Sequence, residues 1–289
     1  MDKRASYCSL YLSGLIVFLS TIALLINYFI YQFPGNNFFP EDMLLLISII
    51  IIVNIGLVVL FGKESRLSHS GVEFFYFFAV MSVIAFATNA IQLAPFPVID
   101  KEILSLEHYF NINIPEILVW TSKHPYFKCL LGVVYDSLPY QMALLPLIVI
   151  AAGKFSLIRE YYFLMLFSTL LGFGFYYFFP TAAPASIMKS LLFSPEQVAT
   201  GLKFYQIHHH IIPTTQDGGL IALPSFHTIW ALLGVYLLKD WTIPCLFLFI
   251  INLLLIISCV LLGWHYVTDV IAALFTLAIS FFFLRVLKK

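Results

Sequence analysis

Charge is scarce in this sequence. Asp, Glu, Lys and Arg supply 10% of its 289 residues and cancel to a formal net charge of zero at pH 7, so nothing attracts a nucleic acid and none is expected as a partner. Cysteine is sparse too. Cys8, Cys129, Cys245 and Cys259 all fall within or at the edge of apolar segments without metal-type spacing, which makes them packing residues that say nothing about redox compartment. The chain has no Asn-x-Ser/Thr sequon, no internal repeat and no low-complexity tract.

What fills the chain instead is apolar. Hydrophobic residues make up 61% of it, with 30 Phe and 16 Tyr, so its natural solvent is lipid. A helix needs roughly 20 apolar residues to cross about 30 Å of hydrocarbon at about 1.5 Å per residue. Eight stretches qualify: 8 to 30, 42 to 61, 71 to 92, 129 to 152, 161 to 179, 223 to 239, 243 to 262 and 264 to 285. The first follows Lys3 and Arg4, but it is too long for a signal-peptide core and no small-x-small cleavage site follows it, so it is expected to remain as an anchor.

Lys and Arg in the connections set the orientation. With the N-terminus inside, Lys3, Arg4, Lys63, Arg66, Lys154, Arg159, Lys239, Arg285, Lys288 and Lys289 lie on the inner side. The remainder, Lys101, Lys123, Lys128, Lys189 and Lys203, are spread over longer outer loops. Both termini are therefore expected in the cytoplasm. The two long connections, 93 to 128 and 180 to 222, are both outer, and loops of that length usually carry function. The first reads as one or two interfacial helices forming a roof.

Ionisable residues inside membrane helices are expensive and point to function. Three patches stand out. "VVYDSLPYQMALLP" carries Asp136 and, four residues on, Tyr140; "ALPSFHTIW" carries Ser225 and His227; "GWHYVTDVIAALF" carries His265 and Asp269. All three begin helices on the outer side, which suits one shared polar pocket. At i and i+4, His265 and Asp269 share a helix face, so the carboxylate can fix one ring nitrogen and leave the other free as base or nucleophile. His227 suits the donor of a proton to a leaving group. The helix start at Pro224 and Ser225 directs backbone N–H groups at an anion such as phosphate. The alternative for the His/Asp pair is a structural clamp between helices.

With these motifs quoted, the chain resembles the type 2 phosphatidic acid phosphatase superfamily: "LPSFHT" and, 38 residues after its His, the His of "GWHYVTDV" match its second and third signatures. "YFFPTAAPAS" and "YDSLPYQMALLP" look most like the branch containing inositol phosphorylceramide synthases and related sphingolipid phosphotransferases. The resemblance implies an all-α integral membrane protein of about eight transmembrane helices. Helices three to eight, within 71–289, would form the six-helix catalytic core, and residues 1–70 would add two helices outside it. It further implies that His265 attacks phosphorus to form a phosphohistidine, that Asp269 orients its ring and that His227 protonates the leaving oxygen.

The wider superfamily grips phosphate with basic residues. Cys259 stands where one Arg is expected, and "FFPTAAPAS" carries no cation. Candidate substrate ligands are therefore the amides around Ser225, the side chains of Asp136, Tyr140, Gln141, Thr181 and Tyr266, and Lys189 or Lys203 from the outer loop. Vanadium haloperoxidases, which need a cationic cradle, do not fit. The His208–His210 run lacks the neighbours of a zinc site and reads as a loop patch, and "DGG" at Asp217–Gly219 reads as a loop turn. Phosphohistidine chemistry requires no metal, and no cofactor is expected.

The function expected is thus a lipid phosphatase or head-group phosphotransferase, acting on a phospholipid or sphingolipid of the bilayer at the periplasmic or lumenal face. The host is a bacterial inner membrane or, alternatively, a Golgi-type membrane. A polytopic lipid transporter or lipid-binding protein would use the same polar cluster as a binding site, but such proteins bind near the midplane and show inverted repeats. A scaffold would need no such pocket. Oligomeric state is open at this level.

Overall fold

The computed structural model describes residues 2–33, 35–39, 42–215 and 218–289. The described residues form α-helices and no strands. In chain order these are α1 (Asp2–Ile26, prolonged by a π-helical turn Asn27–Tyr31), α2 (Met43–Phe61), α3 (Arg66–Ile91), α4 (Asp100–Tyr109), α5 (Ile114–Ser122), α6 (Pro125–Asp136), α7 (Leu138–Ala151), α8 (Phe155–Phe178), α9 (Pro184–Ile187), α10 (Pro195–His208), α11 (Phe226–Leu237), α12 (Thr242–Leu261) and α13 (Val267–Lys288).

Six helices, α1, α2, α3, α8, α12 and α13, are long and apolar enough to cross a bilayer. The protein is therefore an integral membrane protein. All eight apolar stretches are helical, but two are not simple spans. The fourth is a bent pair, α6 and α7, meeting at 43°. Pro139 in the first turn of α7 explains the break, because it has no N–H to donate and its ring crowds the carbonyl four residues back. The sixth, α11, has 12 residues and so reaches only about 18 Å. The residues just before it are spent on an irregular approach ending in the Ser225 cap, whose side chain accepts from the Thr228 N–H.

The centre of the bundle is α8, buried on nearly every side. A helix apolar all round suits that place. It packs against α1, α3, α7, α11 and α13. The first helix is thus part of the bundle, lying on α3 and α8, whereas α2 packs on α3 with only Ile50 buried. Both long connections are helical. From the first, α4 and α5 bury Ile103, Ile114 and Leu118 against Leu223 and Tyr266, and α9 and α10 come from the second.

Charges gather at one end of the bundle. Arg159 pairs with Glu73, Lys239 and Lys288 pair with Glu160, and Lys154 pairs with Asp240. The starts of α11 and α13, with His227 and His265, stand at the other end, where α8 runs into the Pro180–Ala183 segment.

Candidate active site

Gly263 ends α12 at φ +82°, a left-handed geometry that suits glycine. A tight turn follows in which the Trp264 and His265 N–H groups both donate to the Cys259 carbonyl, at 3.0 and 2.9 Å. Cys259 thus shapes the turn through its backbone. Its side chain, at the position where an Arg was expected, is fully buried.

This turn sets the imidazole of His265 against the start of α13. Its Nδ1 lies 3.0 Å from the Ala222 carbonyl and 3.1 Å from Asp269 Oδ2. A carbonyl only accepts, so Nδ1 carries the proton and Nε2 keeps its lone pair. Nε2 lies 3.3 Å from Nδ1 of His227 on α11. For that contact to be a hydrogen bond, His227 Nδ1 must donate. Burial pushes the pKa of His265 down to about 4, with the Ala222 contact working in the opposite direction. The ring is therefore neutral at neutral pH. Asp269 Oδ2 also accepts from the Tyr266 N–H at 2.9 Å, and its backbone carbonyl accepts from the Ser225 N–H at 3.0 Å, locking α13 to α11.

The rings face a narrow cleft walled by Tyr135, Ala183, Thr200, Phe204, Gly219 and Trp264. Its free space is about 20 Å³, room for one water. A phosphate is larger than this, so the cleft must widen to admit one. Tyr135 stacks on His227 at 4.6 Å and on Trp264 at 5.3 Å, so α6 fixes the plane of the His227 ring. An apolar cavity of about 450 Å³ between α1, α3 and α8 lies away from both histidines. Its ionisable lining residues are two tyrosines, whereas the small cleft carries both histidines.

His227, His265 and Asp269 are brought together; the expected substrate ligands are not. Asp136 ends α6 exposed, Tyr140 is 71% exposed, and Gln141 donates to Ser137 Oγ at 2.9 Å. The break at Pro139 undoes the shared face that a continuous helix would give Asp136 and Tyr140. Ser225, Thr181 and Tyr266 are fully buried behind the cleft. Thr181 Oγ1 is occupied by the Leu223 N–H at 2.9 Å. Of the loop lysines, Lys189 is exposed, whereas Lys203 is fully buried on α10 beside the cleft residues Thr200 and Phe204 and donates to the Gly218 carbonyl at 3.0 Å. Gly219 reaches the cleft, as a phosphate-approaching glycine would; Asp217 lies outside the described residues. His208, His209 and His210 line no part of it.

Sequence reasoning missed Tyr135, the Ala222 carbonyl, and two acids on α4. Asp100 Oδ2 accepts from the Ala182 N–H at 2.8 Å, beside the cleft residue Ala183. Glu107 Oε1 accepts from the N–H and hydroxyl of Thr268, at 2.8 and 3.1 Å. The signal existed: Asp100, Ile103 and Glu107 share one helical face within "DKEILSLEHY".

A polytopic helical membrane protein with a carboxylate-supported histidine facing a second histidine is the class this geometry defines. The profile described as the PAP2 superfamily matches residues 101–283, more than half of the chain, and the protein belongs to that superfamily. Membership implies a phosphatase- or phosphotransferase-type enzyme. Searches of curated proteins and of solved structures returned no match.

Proposed function

We propose that the protein cleaves a phosphoester or phosphodiester of a membrane lipid through a covalent phosphohistidine at His265. The observation that carries this reading is the fixed tautomer of His265, with Nδ1 held by Ala222 and Asp269 and Nε2 aimed at His227. The Nε2 lone pair attacks phosphorus, and the bond from phosphorus to the leaving oxygen breaks. That oxygen takes a proton from His227, whose protonated form an anionic phosphate between the rings favours. Asp269 balances the positive charge that forms on the His265 ring. An acceptor hydroxyl then attacks phosphorus and gives its proton to His227, and the bond to Nε2 breaks.

If the acceptor is water the protein is a lipid phosphatase; if it is an alcohol, a head-group phosphotransferase. The sequence pattern shared with sphingolipid phosphotransferases favours transfer to an alcohol. Phosphate binding falls to the first-turn amides of α11, to Thr200 and to the cation of Lys203. The clustering of Lys and Arg at the far end supports a cleft facing the periplasm or a lumen, with both termini in the cytoplasm.

The test incubates purified protein with labelled phospholipids, alone and with diacylglycerol, ceramide or inositol. A labelled new lipid is the expected product; inorganic phosphate alone would overturn transfer and leave hydrolysis. Turnover undiminished in His265→Ala would remove the mechanism altogether.

A further inference from the structure

The cavity between α1, α3 and α8 shares no lining residue with the cleft. It follows α1 from Ile16 to Ile26 and α8 from Thr169 to Phe178, a run on the order of 15 Å at about 1.5 Å per residue. That is half of a hydrocarbon core of roughly 30 Å, the depth of one leaflet. On α8 these are the last turns before Pro180, so the leaflet is the one at the histidine end of the bundle. The floor is apolar and buried: Ile16, Ala87, Ala90 and Phe173 are all 6% exposed or less. Leu19 and Phe178, at 45% and 56%, form a rim open to the bilayer. Asp, Glu, Lys, Arg and His are absent from its described lining.

Two features say what fills it. The first is a glycine. A Gly inside a helix is destabilising relative to Ala, and in membrane helices the usual gain is the close approach of a second helix. Gly172 serves that end, since a Cβ there would meet the Phe226 ring. Gly174, two residues on, lines the cavity, and a Cβ there would meet nothing within 4 Å. Ala87 and Ala90 line it from α3. Small residues thus hold open a space into which no other part of the described chain packs. The second feature is width. About 450 Å³ spread over about 15 Å leaves a cross-section of about 30 Å². A helix about 10 Å across needs more than twice that, and water avoids a cavity so apolar. A single hydrocarbon chain fits it.

We propose that the cavity binds one hydrocarbon chain of a membrane lipid that is not the substrate. α8 stands between this site and α11: its Phe173 forms part of the cavity floor and meets the Phe226 ring edge to face at 5.0 Å. The bound chain backs Phe173, and through Phe226 it steadies the start of α11 beside His227. It also fills the seam by which α1 joins α3 and α8. Binding does not depend on the phosphohistidine reading of His265.

The probe is a phosphatidylcholine with a diazirine near the end of one acyl chain, diluted into ordinary phosphatidylcholine in nanodiscs that hold the wild-type protein. After illumination, label on the peptides of α1 and α8 that line the cavity is expected to exceed that on α2 several-fold, since α2 faces lipid with only Ile50 buried. Gly174→Phe and Ala23→Phe fill the cavity from α8 and from α1. Each should bring that label down to the α2 level while keeping thermal stability in detergent. Equal labelling of α1, α8 and α2 in the wild type would overturn the proposal, and so would label unchanged in both variants. His265→Ala should label as the wild type does, which separates this site from the chemistry of the cleft. The same cavity-filling variants test whose chain is bound. KM for a long-chain lipid substrate is expected to stay within about 2-fold of wild type, whereas a rise of about 10-fold or more would assign the cavity to the substrate's own chain and overturn the proposal.

Discussion

Two acceptors share the Nδ1 proton of His265, the Ala222 carbonyl at 3.0 Å and the Asp269 carboxylate at 3.1 Å. Where a carboxylate alone orients a catalytic histidine, exchanging it for an amide can cost about 10⁴-fold, because the wrong tautomer is selected. Here the carbonyl selects the tautomer even without the carboxylate. Asp269→Asn is therefore expected to lower kcat by roughly 10- to 100-fold, keeping the pH dependence of the nucleophile but losing charge stabilisation. A steady-state kcat measurement checks it. Tyr135 acts on the other ring. Removing the stack in Tyr135→Ala should let the His227 ring rotate and cost about 10-fold in kcat, while Tyr135→Phe keeps the stack and stays within about 2-fold. The contact between His265 and Asp269 was legible in the sequence because a His and an Asp one turn apart are costly in an apolar helix. Ala222 was not, since a backbone carbonyl leaves no signature in residue type.

Among the elements, α11 and α8 carry the closest tolerance. A Cβ at Gly172 would meet the Phe226 ring at 2.7 Å and Pro224 at 3.0 Å, and Phe226 is the neighbour of His227. Gly172→Val is expected to push the start of α11 away from α13 and lower kcat by about 100-fold, since misplacement by 1 Å costs that much. Retained thermal stability in detergent alongside the lost activity would mark the effect as positional. The spans were legible from hydropathy, and so were short helices in the first long connection. The bend at Ser137 was less so, because "YDSLPYQMALLP" satisfies helical periodicity throughout and a Pro such as Pro139 is tolerated in the first turn of a helix. That one break removes Asp136 and Tyr140 from the cleft and brings Tyr135 to it. The acids of α4 escaped notice because amphipathic patterning draws attention to Ile103 and Leu104 rather than to charges facing inward.

Across the whole molecule, chemistry and charge occupy opposite ends of the bundle. If the cleft faces outward, a membrane-impermeant thiol reagent applied to intact cells should label Lys123→Cys and spare Lys154→Cys, both exposed positions, in a background with the exposed Cys129 replaced. The reverse pattern would place the cleft in the cytoplasm. The family was legible from two short motifs, and Lys203 and the first-turn amides of α11 stood among the candidate ligands, whereas Thr200 did not, because only the fold brings α10 to the cleft. The most direct measurement is rapid quenching of the protein turning over a lipid labelled at phosphorus, followed by mapping of the modified residue. Acid-labile, alkali-stable label on His265, absent in His265→Ala, is the expected result. Turnover with no labelled histidine at any quench time, persisting in His265→Ala, would contradict the phosphohistidine mechanism.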